Sequence, residues 1–99
     1  MTSPEGGDTD PEMADAIAVA VTAVAGVAEL HGGMFGEAAT YLPGRRVAGI
    51  RLHGNDTEVH VSLLYGFPVR PTAEAVRDAV APLVPGPVHV TVEDIVRPR

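Results

Sequence analysis

The chain of 99 residues is long enough for one modest core, burying about 60 to 65% of the surface its unfolded form exposes, and too short for two. It has no cysteine, which excludes disulfides, thiol catalysis and cysteine-ligated zinc. Thirteen acidic and seven basic residues give a formal charge of −6, a balance that opposes capture of phosphate backbones and argues against nucleic acid as a partner.

The charge is unevenly placed. Residues 1–44 hold seven acids and no Lys or Arg, whereas residues 45–99 hold six acids and all seven arginines. No positively charged region precedes an apolar run at the N-terminus, and the longest apolar run, residues 16–28, is broken by Thr22 and Gly26 and is too short to span a bilayer. The expectation is a cytoplasmic protein, unless a partner holds it at a membrane.

Residues 1–9, MTSPEGGDT, have no periodicity and read as a disordered leader before a single domain over residues 10–97. Asp10-Pro11-Glu12 predicts a helix start, with a capping oxygen, a harmless first-turn proline and an acid at the positive helix end. Met13, Ile17, Ala20, Val21 and Val24 recur at helical spacing and form the core stripe, which Gly26 ends. Val19 falls on the side of Glu12, Asp15 and Thr22, so this helix is apolar beyond what one sheet face needs.

Residues 27–31 form a strand candidate. The connection that follows, GGMFGEAATYLPGRR, has Phe35, Ala38 or Ala39, and Leu42 spaced for one or two amphipathic helical turns. Residues 46–53 and 57–65 predict a hairpin around Gly54-Asn55-Asp56. With Asn55-Asp56 as its loop, Leu52 faces Val59, Ile50 faces Val61 and Ala48 faces Leu63 on the core side; His53 faces Glu58 and Arg51 faces His60 on a wet side. Pro71 starts a second helix with Ala73, Val76, Val80 and Leu83 as its stripe, and Pro82 should end it by pushing Ala81 out of helical geometry. After Pro85-Gly86-Pro87, Val88, Val90 and Val92 alternate with polar residues in a last strand. The predicted fold class is α/β, a two-layer α+β-like arrangement in the order α-β-β-β-α-β, with a small mixed sheet covered on one face by two helices.

Residue chemistry points away from catalysis. His60 and His89 lie on solvent-side strand positions near Glu58 and Glu93, but no local spacing such as His-x-x-x-His brings three or four zinc ligands together, and solvated sheet-face histidines are the reading adopted. Ser3 sits in the leader, and Ser62 lacks the Gly-x-Ser-x-Gly elbow that exposes a nucleophile. HGGMFGE has neither Walker nor dinucleotide spacing, and its GMFG, though spaced like a KH-type Gly-x-x-Gly loop, is apolar inside and acidic around. No catalytic residue, metal ligand, cofactor or cofactor-binding residue is assigned.

Four stretches together resemble a known family: VAGVAEL at 24–30, the hairpin, LLYGFPV at 63–69 with the helix after it, and PVHVTVEDIV at 87–96. In order and spacing they are similar to the alkaline shock protein family, envelope stress response proteins of Gram-positive bacteria, over about residues 13–96. The chain departs from that pattern at Arg70, where the family usually has proline, and at Pro82, where it rarely does. The resemblance implies a small α/β protein that is not an enzyme, works as an interaction or scaffold module, pairs with itself or a paralogous chain, and in some members is held near the membrane by a membrane-anchored partner.

The surplus of apolar residues agrees with that expectation. Val19, Met34, Phe35, Tyr41 and Leu42 exceed what so small a core has room for, and they are the expected interaction residues together with Tyr65 and Gly66. Tyr65-Gly66 is read as a hinge, Gly releasing the chain from the sheet and Tyr capping the core edge, with binding as the second reading. The alternative function is a small-ligand or nucleic-acid binding module using the 31–46 loop with Arg45, Arg46 and Arg51.

Overall fold

The computed structural model describes residues 11–33 and 38–97. Along the chain these form α1 (Pro11–Thr22), β1 (Val27–Leu30), β2 (Ala39–Leu42), β3 (Arg45–Ala48), β4 (Ile50–His53), β5 (Asp56–Leu64), α2 (Val69–Val80), a 3₁₀ turn (Ala81–Leu83) and β6 (Val88–Val96). The leader, the Asp10 cap, Met34 and Phe35 lie outside the described residues.

The nine-residue β5 is the centre of the main sheet. One of its edges is shared: β4 pairs antiparallel with its first half and β1 with its second half, while β6 runs parallel along the other edge. The handover falls at His60, whose N–H donates to Gly49 O and whose carbonyl accepts from His31 N–H. The sheet is therefore mixed, as expected, and both helices lie on one face. α1 contributes Ile17 and Val21, and α2 contributes Val76 and Val80, to one buried cluster with Ile50 and with Val59, Val61 and Leu63 of β5. The period-two alternation of β5 puts those three side chains on the core face and leaves Glu58, His60 and Ser62 on the other.

Several features differ from the sequence reading. The 31–46 connection contains no helical turn among its described residues. Ala39–Leu42 is instead a strand paired with Arg45–Ala48 in a separate hairpin, with Ala39 opposite Ala48 and Leu42 opposite Arg45. Thr40 ties this hairpin to the main sheet by donating its hydroxyl to Ile50 O, and Ala38, Ala39 and Leu42 are buried. The long strand expected over 46–53 is cut at Gly49. A Cβ there would lie 2.8 Å from His60 O and 2.9 Å from the Leu30 side chain, so a residue with φ of +83° and no side chain is what lets the chain approach β5 closely just beyond the end of β1.

The hairpin register is also displaced by two residues. Ile50 pairs with Val59, Leu52 with Thr57 and His53 with Asp56, so the loop is Gly54-Asn55 rather than Asn55-Asp56. Gly54 has φ of +59° while no non-glycine residue among those described has positive φ, the pattern of a Gly-first II′ turn whose twist suits a two-residue hairpin. Arg51 accordingly faces Glu58, not His60. Finally, α2 starts at Val69, two residues before Pro71, with Thr72 N–H and hydroxyl both donating to Pro68 O. Ala81 keeps right-handed helical angles, and Pro82 is accommodated by tightening into the 3₁₀ turn.

Two bulges flank Ser62. Val27 pairs with Leu63 but Glu29 with Ser62, leaving Ala28 as the extra residue on β1; Val61 pairs with Val92 but Ser62 with Asp94, leaving Glu93 as the extra residue on β6.

Candidate interaction site

The β5–α2 junction is where the chain leaves the sheet. Gly66 has φ of +102°, and Tyr65, Phe67 and Val69 follow one another with 56%, 41% and 48% of their surfaces exposed. Tyr65 donates its N–H to Val96 O, which closes the end of the parallel ladder, and its ring lies under the Arg97 guanidinium at 4.2 Å. So Tyr65 does not cap the core. The aromatic residue that packs inward at this end is Phe67, which lies over Gly26 in the turn after α1 with part of its surface still exposed.

A second polar group sits on the sheet face away from the helices. His60 Nδ1 is 2.7 Å from Glu93 Oε2, and its Nε2 is 3.4 Å from Glu58 Oε1. The His60 side chain is only 14% exposed, so it is not the solvated sheet-face histidine expected. Glu93 is the reason: alternation along β6 puts it with Thr91 on the face that carries His60, and its carboxylate closes on the ring. Ser62, next along that face, is 1% exposed, and its hydroxyl makes no hydrogen bond among the described residues. His89 lies farther off, opposite Glu58 in register, with Nε2 3.8 Å from Asp56 Oδ2. Among the described residues no group of three His, Asp or Glu side chains is arranged to hold a metal ion.

A third feature is a groove of about 330 Å³ between α2 and β6, lined by Arg70, Ala73, Glu74 and Arg77 from the helix and by Val88, His89 and Val90 from the strand. The helix residues stand at i, i+3, i+4 and i+7 and so form one stripe. Neither Arg70 nor Arg77 makes an ion pair with a described carboxylate, Glu74 included.

Protein-family models, curated proteins and solved structures were compared with this chain, and none matches it.

The residues expected to form an interaction surface do not come together as one. Val19, at 70% exposure, stands on the outer face of α1; Tyr41 is exposed on β2; Tyr65 and Gly66 are exposed at the junction. Leu42 is a correction, since at 8% exposure it belongs to the core, where the β2–β3 hairpin folds it inward. Of the arginines in the alternative reading, Arg46 and Arg51 are exposed on β3 and β4. Sequence reasoning missed Phe67 and the Arg70–Arg77 stripe. The first was legible only through its partner glycine, and the second only once β6 was known to lie beside α2. No helix among the described residues is long and apolar enough to cross a membrane.

Proposed function

We propose that this protein is a non-catalytic interaction module of the envelope stress response, assembling with itself or a paralogous chain and reaching the membrane through an anchored partner. The observation that carries the interaction reading is the apolar surface left outside the core: Val19 on α1 and Tyr65, Phe67 and Val69 at the junction, in a chain whose core is already filled by residues of both helices and β5. Aromatic residues presented on rigid element ends are well suited to anchoring a partner. The half-buried polar cluster at His60 supports the non-catalytic part, because both ring nitrogens are engaged by carboxylate neighbours rather than by a nucleophile. The envelope assignment is supported by the ordered resemblance of residues 24–30, 63–69 and 87–96 to the alkaline shock protein family.

Sedimentation velocity over a hundredfold range of concentration tests the interaction role, with a concentration-dependent dimer as the expected result. Deleting the gene in its host and challenging with cell-wall and alkaline stress tests the setting. Unchanged growth under both stresses overturns the envelope assignment, and a monomer at every concentration overturns self-association.

A further inference from the structure

We propose that the groove between α2 and β6 receives an extended acidic peptide of a partner protein, which adds as a strand to the free edge of β6. This rests on reading the chain as an interaction module and names the partner's chemistry at a surface separate from Val19 and the junction.

The backbone supplies the first part. Thr57 N–H donates to Pro87 O at 3.0 Å, and Thr57 is registered with Val88 in the parallel ladder. In such a ladder alternate residues turn both backbone groups to the same neighbour. Pro87, His89 and Thr91 therefore face β5, and Val88 and Val90 direct their N–H and C=O groups to the opposite edge. No described strand pairs with that edge. Nine-residue edge strands are ordinarily protected by a bulge, a proline or an inward charge. Here the bulge comes only at Glu93, so residues 88–92 are regular and open. Unpaired backbone groups beside a helix are the setting in which peptides add to a sheet.

The side chains supply the second part. Across the groove from Val88 and Val90 stand Arg70, Ala73 and Arg77, with Glu74 as the one carboxylate among the lining residues. In a chain of net charge −6, two arginines that pair with no described carboxylate stand along a single helix stripe. Seven helical residues separate their Cα atoms by about 10 Å, a span that an extended chain covers in about three residues. A peptide lying on β6 can therefore meet both guanidinium groups with carboxylates a few residues apart, while apolar side chains between them rest on Ala73, Val88 and Val90. A second copy is the less suitable occupant: antiparallel pairing of two β6 strands would bring the two α2 helices together with arginines facing arginines.

The test uses the whole chain and labelled peptides of about eight residues, a length typical of strands. One repeats Glu-Thr-Val-Thr, so that glutamate and valine alternate along one face of the strand, one has lysine in place of glutamate, and one is the glutamate peptide N-methylated at alternate amides. Fluorescence anisotropy is expected to show binding of the glutamate peptide only, weakened at least about tenfold in R70E/R77E. Slower amide exchange at Val88 and Val90 should accompany it, and the variant's thermal melt should match that of the parent. Equal binding of the methylated peptide would show that the arginines capture a free anion without strand addition, and it overturns the proposal. A dimer in sedimentation that R70E/R77E abolishes would make this edge a contact between copies, which also overturns it. Failure of the glutamate peptide to bind overturns it while leaving self-association through Val19 and the junction standing.

Discussion

Phe67 lies so closely over Gly26 that a Cβ on the glycine would fall 2.7 Å from Cδ2 of the ring. The two residues belong to different turns, one after α1 and the other before α2, and Leu64 N–H donating to Gly26 O holds those turns together. Two short stretches that stand out separately in the sequence, VAGVAEL and LLYGFPV, are thus halves of one contact. Gly26 also has φ of +95°, so Gly26→Ala carries both a backbone and a contact cost, together about 2 kcal/mol or more. In a Phe67→Ala background the contact part should vanish and the backbone part remain. Chemical denaturation of the four-member cycle measures this. The same loss in both backgrounds would mean that the ring does not press on the glycine.

The two faces of β5 should respond differently to substitution. Val61 is fully buried among α1 and α2 residues, and Val61→Asp places an unpaired carboxylate there, at a cost of several kcal/mol that a domain of this size does not survive. His60→Ala removes the bond to Glu93 and brings a loss of about 1 to 2 kcal/mol. Thermal melts separate the two. A His60→Ala protein as damaged as Val61→Asp would mean that the cluster with Glu58 and Glu93 organises the fold.

Ser62 makes the opposite prediction. Its hydroxyl is enclosed between the two bulges without a hydrogen-bond partner among the described residues, so removing it relieves a desolvated group. Ser62→Ala is expected to leave the melting temperature unchanged or raise it, by up to about 1 kcal/mol in stability. A clear loss in denaturant unfolding would show that the hydroxyl finds a partner in solution.

Val19→Glu separates surface from core. Because the residue is 70% exposed on α1, the substitution should leave helicity and stability within about 0.5 kcal/mol of the parent, yet shift any dimer toward monomer. Circular dichroism and sedimentation of the same sample give both readings. Loss of helicity would place Val19 in the core; an unaltered dimer would move the interface elsewhere.

What the sequence alone determined is the core face of β5 and of each helix, although Leu42 and Leu83 exchanged their expected places, the first buried and the second exposed. The alternation Val59, Val61, Leu63 and the helical spacing of Ile17 with Val21 and of Val76 with Val80 each bury one face. This held even where the expected pairing was displaced by two residues, because a side-chain period of two returns Ile50 and Leu52 to the same face after any even shift. Pairings made across the chain were decided by the tertiary structure. Ala39–Leu42 carries the spacing of a helical turn and becomes a strand because Arg45–Ala48 and Ile50 O supply its hydrogen-bond partners. Glu93 meets His60 only because β6 runs parallel beside β5 in the register that sets Thr91 opposite His60. Arg70 and Arg77 read as ordinary exposed helix residues until the parallel β5–β6 pairing sets an open strand edge next to them. Periodicity is local and survives in a single sequence, whereas edges, bulges and grooves are relations between segments that only the folded chain brings together.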